Sequence, residues 1–360
     1  MRVTAFRGTD RTTDGSPKPG ADGPGAARRL TRRRVGTWVA VGAGVLAALA
    51  WVGGMPTQEY TVQIGLRPLP ANAGHGDVQQ PRPMAVAMPI DGWVRGMSVD
   101  LVDARGREVS QRVLHHLNVI MPQRRELFSQ IMLRIGAAGP ETKPWELPFF
   151  LGYRIHPGDS VLFTAMVHNP TPTALEGVRI RVKLDYTPAD IMLPLLGIHP
   201  VYLDVTPPAG FHSFDLPPGR SSASWEGHPA IPARLLAAGG HLHQYGTALQ
   251  LTDVTANEVL WEARPKLDSA RVVEGMPIKY FLPFGLKLDP DHVYRLTAYY
   301  DNPTGEVIPG GGMGALGGIV LPGMGSIWPS PAHDDPEYRK DVRLTVGAES
   351  HHHHPEGHAH

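Results

Sequence analysis

Six side chains, in fixed order along this chain, carry the donor atoms of a soft-metal site: adjacent His115 and His116, then His168, the pair His241 and His243, and the thioether of Met313. Imidazole suits zinc, copper, iron or nickel, whereas a thioether is a soft ligand that selects Cu(I). The six can divide into an all-histidine set, His115, His116 and His168, and a two-histidine, one-methionine set, His241, His243 and Met313. Two copper ions with unlike ligands would do unlike work. Taken singly the residues say little, because a lone histidine at a strand end or a methionine in a glycine-rich loop is more often structural. Only the joint pattern speaks for metal, and Met324 is a rival thioether for the second set.

Over about residues 84–347 the chain resembles the copper type II, ascorbate-dependent monooxygenases, the family of peptidylglycine α-hydroxylating monooxygenase and dopamine β-monooxygenase. The resemblance rests on His115-His116 in RVLHHLNVI and on His168 closing the apolar run VLFTAMVHNPT. It rests further on His241-Leu242-His243 in GGHLHQYGTALQLTD and on Met313 in DNPTGEVIPGGGMGALGG. It implies that His115, His116 and His168 hold an electron-transfer copper, and that His241, His243 and Met313 hold the catalytic copper where O2 is used. A substrate C–H bond would be hydroxylated, with ascorbate or a similar small reductant as co-substrate. Substrate identity does not carry over. In the peptide-hydroxylating members an arginine two residues before His-x-His clamps the peptide carboxylate, and here that position is Gly239, which has no side chain to make a bidentate contact. Gln244 stands where those enzymes continue with another histidine. The substrate class therefore stays a small organic molecule or a peptide. The same ligands also admit a non-catalytic reading, an extracytoplasmic copper-binding or copper-buffering protein.

The ligands require particular elements to position them. In a strand, residues two apart share a face, so His241 and His243 converge while Leu242 points away. His115 and His116 would point to opposite faces unless a bulge or a strand end intervenes. Gly 41 and Pro 36 among 360 residues, with short β-branched runs, indicate a turn-rich all-β chain. The resemblance specifies two consecutive jelly-roll β-sandwich domains, expected over 84–190 and 191–347 with a junction near 187–200. Val178, Ile180, Val182 and Leu184 alternate with Arg179, Arg181 and Lys183, a strand with one dry face. It is expected to pair with 160–167 across 169–177, placing His168 at a strand end. A turn at 103–106 is expected to join strands at 98–102 and 109–120. Strands at 247–254, 258–263 and 293–300 follow, the last leading into the loop of Met313. Residues 56–83 read as a linker with at most one short strand at Tyr60, Val62 and Ile64.

Composition limits the partners. Basic and acidic side chains balance at 34 each, so no net field draws the chain to nucleic acid. The absence of cysteine excludes disulfides and thiolate metal sites. Residues 1–34 are polar and end in Arg28, Arg29, Arg32, Arg33 and Arg34, and the uncharged run 35–55 is long enough to span a bilayer as a helix. Basic residues before the span place the bulk of the chain outside the cytoplasm. An uncleaved signal anchor, giving a single-pass membrane protein, competes with a twin-arginine export signal cleaved after Ala48-Leu49-Ala50. The tail 348–360 is histidine-rich and would bind divalent metals weakly and without selectivity, or serve as a tag. His75, His212, His228, His292 and His333 are expected at the surface.

Overall fold

The computed structural model describes residues 57–73, 77–190, 196–209, 212–269 and 271–347. Period-two alternation sets their architecture. Eight principal strands build a first sandwich, with two-residue strands at its edges: β1 (Gln58–Gly65), β2 (Met84–Ala87), β3 (Gly92–Val102), β4 (Leu114–Arg125), β5 (Met132–Ala138), β6 (Leu151–Ile155), β7 (Ser160–Val167) and β8 (Arg179–Pro188). One sheet runs β1-β8-β3-β6 and the other β2-β7-β4-β5. The second sandwich uses β9 (His199–Asp204), β10 (Gly219–Gly227), β11 (Ala233–Leu242), β12 (Gly246–Asp253), β13 (Glu258–Ala263), β14 (Leu286–Leu288), β15 (Tyr294–Asn302) and β16 (Gly314–Pro322). Its sheets run β9-β16-β11-β14 and β10-β15-β12-β13, the same order repeated eight strands later. Four-on-four pairing in this order is the double Greek key of a jelly roll. Each sandwich closes over its own apolar core, one built around Leu101, Leu117, Phe163 and Val182, the other around Leu235, Leu249, Trp261 and Leu316.

Several expectations change. Within the segment read as a linker, the short strand allowed at Tyr60, Val62 and Ile64 forms as β1 and is a full member of the sheet, because Val62 and Ile64 alternate inward and its backbone pairs with β8 along its whole length. Ile180, Val182 and Leu184 do face the core, yet β8 pairs with β1 and β3 and not with 160–167. The Greek key carries the chain across the sandwich between β7 and β8, and the Asn169 amide ties that crossing by donating to Thr173 O at 2.8 Å. The turn at 103–106 forms, with Gly106 at φ 77, but the strand after it is only Glu108–Val109, and β4 starts at Leu114 in the opposite sheet. The chain also returns to the first sandwich after the second. Helix α1 (Pro336–Val346), capped by Asp335, lays Tyr338 against Ile120, Met132 and Leu162. Asp341 meets Arg134 of β5 in a buried ion pair at 2.6 Å. Among the described residues no helix is long and apolar enough to cross a membrane; 35–55 and 348–360 lie outside them.

The sandwiches interpenetrate where they meet. Leu127 and Phe128, just past β4, are buried in the second core, and Leu282, Ile319 and Leu321 of the second sandwich pack on the first. This junction fixes the outer face of β11 and β16 against the ends of β4 and β7.

Candidate metal centre

Leu114 and Leu117 are both 0% exposed and both point into the first core, although three positions apart they should face opposite ways. The β4–β7 register explains it: Leu114 pairs with Val167 and His116 with Met166, so His115 is the extra residue of a bulge. Both histidines leave the core face as a result. His168 extends β7 just beyond Val167, its N–H donating to Val113 O at 3.0 Å, and the rings of His115 and His168 lie 5.7 Å apart.

On the second sandwich Leu242 is buried in the core and pairs with Gly314, while His241 pairs with Ala315 on the outer face. One step further, past the paired strands, His243 N–H donates to Met313 O at 3.2 Å, which sets the two backbones side by side at this edge. Tyr300 pins the methionine: its oxygen accepts from Met313 N–H at 2.9 Å and its hydroxyl donates to the Met313 carbonyl. Met324 lies beyond the far end of β16, about 30 Å along the strand, and is fully exposed.

The two ligand groups meet across the junction. His116 Nε2 lies 3.3 Å from His241 Nε2, and a donor atom from each of His116, His241 and His243 falls within 4.8 Å of the others. Two nitrogens at about 2.0–2.1 Å from one tetrahedral ion are themselves about 3.3 Å apart, so this spacing fits a single ion between the sandwiches. His115 packs at 4.3 Å from the His116 ring and 5.9 Å from that of His243. The expected sets are thus contiguous, with His116 grouped with His241 and His243. The arrangement does not repeat with the fold, since the first sandwich places its candidate ligands on β4 and just past β7, and the second on β11 and just before β16.

Electrostatics prepares the imidazoles. Burial, reinforced by the neighbouring His241, His115, His243 and His212, holds the His116 pKa well below the ordinary value, which keeps the ring neutral and able to bind metal. Glu141, in the loop after β5, reaches across to His241, with Oε1 2.6 Å from Nδ1. An ionised carboxylate only accepts, so Nδ1 carries the proton and the Nε2 lone pair faces His116. Burial alone would raise the Glu141 pKa; the hydrogen bond and charge of His241 outweigh it, and the net shift is downward. A carboxylate orienting a ligating histidine in this way is usual at metal centres.

Sequence reasoning missed Glu141, a single acid in a Pro- and Thr-containing loop that nothing in the local pattern marks. It also placed His212 at the surface. His212 is half-buried, with Nδ1 3.1 Å from the fully buried Asp204 carboxylate at an angle short of an in-line hydrogen bond. Asp204, Ala315 and His241 form one cross-strand row, and only the fold reveals it.

No family model matches the sequence, and no curated protein matches it. Among solved structures, PNGase F, a glycosylasparaginase from Flavobacterium meningosepticum, aligns over 73% of this chain and 96% of its own, at 11% identity and TM-score 0.37. The major capsid protein P2 of bacteriophage PM2 aligns over 74% and 100%, at 10% identity and TM-score 0.30. A chain of Sulfolobus turreted icosahedral virus aligns over 80% and 97%, at 9% identity and TM-score 0.32. Likenesses this distant bear on neither family nor function.

Proposed function

We propose that this chain is a copper-dependent monooxygenase whose centre lies between two jelly rolls, hydroxylating a C–H bond of a small organic or peptide substrate with O2 and a reductant such as ascorbate. The observation that carries the reading is the convergence of His116, His241 and His243, with the backbone of Met313 hydrogen-bonded to that of His243 beside them. Three imidazoles alone would suit zinc or copper; the thioether turns the preference to Cu(I). Copper, when bound, supplies the oxygen activation and the electrons. The chain's own part is to aim His241 Nε2 through Glu141, to hold Met313 by its backbone on Tyr300, and to keep His116 neutral in a dry junction. His115 and His168 stand beside this group as ligands for a second ion that stores an electron. The membrane anchor and export route belong to this proposal as its setting.

A non-catalytic copper-binding protein is the second reading. It is favoured by the row beside His241, where Gly239 pairs with Gly317 and offers no polar side chain to hold a substrate. Oxygen uptake by the copper-loaded chain with ascorbate, across a panel of aliphatic, aromatic and peptide substrates, separates the two. The proposal expects copper-dependent uptake coupled to a hydroxylated product. Full copper loading with no substrate-coupled uptake would leave the binding protein.

A further inference from the structure

Away from the histidines, the junction carries a half-open hollow of about 400 Å³, within the range of small-molecule sites. Phe150 of the first sandwich and Leu236, Leu282, Phe284 and Leu321 of the second line it, with Arg234 as its one charged group. Leu236 is 2% exposed, whereas Phe284 leaves 78% of its surface in water at the rim. The Phe284 ring extends the apolar lining outward at the rim, where a ligand in the hollow would cover it. Arg234 and Leu321 are cross-strand partners on β11 and β16. His241 lies seven residues further along β11, about 23 Å away in an extended strand, so the cavity and the metal centre do not share residues.

Arg234 selects the ligand. Its Nη1 donates to Phe284 O at 3.0 Å, which fixes the guanidinium at the mouth. Among the described residues it enters no ion pair, whereas Arg154 and Arg181 are each met by an aspartate, Asp91 and Asp100. One fork-shaped cation with no acidic partner matches one planar anion. A dianionic phosphate would want a second cation, and the lining provides none.

We propose that this cavity binds a medium-chain aliphatic carboxylate, its hydrocarbon in the hollow and its carboxylate on Arg234. The inference goes beyond the copper reading and does not depend on it, because the lining contains no candidate metal ligand. Until the hollow is filled, each added methylene should tighten binding about fourfold.

The test is calorimetric titration of the metal-free full-length chain with hexanoate, octanoate, decanoate and decan-1-ol. Decanoate is expected to bind one to one, more tightly than octanoate, and about tenfold more tightly than decan-1-ol. Arg234→Gln should abolish the preference for decanoate over the alcohol. Phe284→Ala, at an exposed position where folding is safe, should weaken both ligands several-fold, and Leu321→Trp should fill the hollow and remove both. Copper capacity, measured separately, should be the same in all three variants. Absence of decanoate binding, or binding that Arg234→Gln and Phe284→Ala leave unchanged, would overturn the assignment. Failure of the parent to take up copper would touch only the centre.

Discussion

His241 is held from both sides, by Glu141 at Nδ1 and by His116 at Nε2, and both partners come from the other sandwich. Glu141→Ala removes the group that fixes the tautomer, and metal affinity at the shared site should drop about 10- to 100-fold while the fold survives. Competitive titration with a chelator measures it, and an unchanged affinity would make the pair merely structural. Met313→Ile keeps an apolar side chain and removes the sulfur. Cu(II) should be retained nearly as well as in the parent, and Cu(I) affinity should fall at one ion only. Equal loss of both oxidation states would mean that the substitution had disturbed the β16 start and not a ligand. The rings of the five histidines picked out in the sequence neighbour one another, Met313 joins them through its backbone bond to His243, and Met324 stands at the other end of β16. What the sequence could not convey is which sandwich each ligand would face, so the grouping of His116 with His241 and His243 had no local signal.

At the scale of elements, the bulge at His115 was foreseeable in kind, since adjacent histidines on one strand cannot otherwise leave by one face. The strands β12, β13 and β15 were legible from alternation and turns. Helix α1 was not, because a short helix whose buried contacts are Tyr338 and Asp341 carries almost no apolar stripe. Its docking depends on the Arg134–Asp341 pair, with side chains only 8% and 4% exposed, backed by Met132 N–H donating to Asp341 at 2.9 Å. Asp341→Ala would leave a buried guanidinium without its partner, costing about 3–5 kcal/mol. Denaturant midpoints should shift accordingly, whereas replacing both residues with well-packed apolar ones should cost much less.

For the whole molecule, the decisive fact is that two copies of one topology meet with Glu126 buried between them. Its oxygens accept from Arg134 N–H at 2.7 Å and from Tyr202 N–H of the second sandwich at 3.0 Å. Burial raises its pKa to about 8, against the pull of Arg134 and of those backbone donors. An unfolded glutamate ionises near 4.3. Between that pH and about 8 the unfolded chain has lost a proton that the native chain keeps. This group's contribution is therefore fully present at low pH, falls by up to about 1.4 kcal/mol per pH unit across the window, and is lost above pH 8. Glu126→Gln should flatten that slope in unfolding titrations of the metal-free protein. A slope unchanged by the substitution would assign the pH dependence to other groups. Residue pattern alone indicated an all-β chain and the resemblance implied two sandwiches, but the junction between them comes from contacts more than a hundred residues apart, such as His116 with His241, which no local pattern encodes.

The claim on which the rest depends is that one ion takes ligands from both sandwiches. Anomalous diffraction at the copper edge from crystals of the copper-loaded protein tests it directly. A peak about 2 Å from nitrogens of His116, His241 and His243 together is the predicted result. Two peaks with no shared ligand, one held by His115, His116 and His168 and the other by His241, His243 and Met313, or no peak at these histidines, would contradict it.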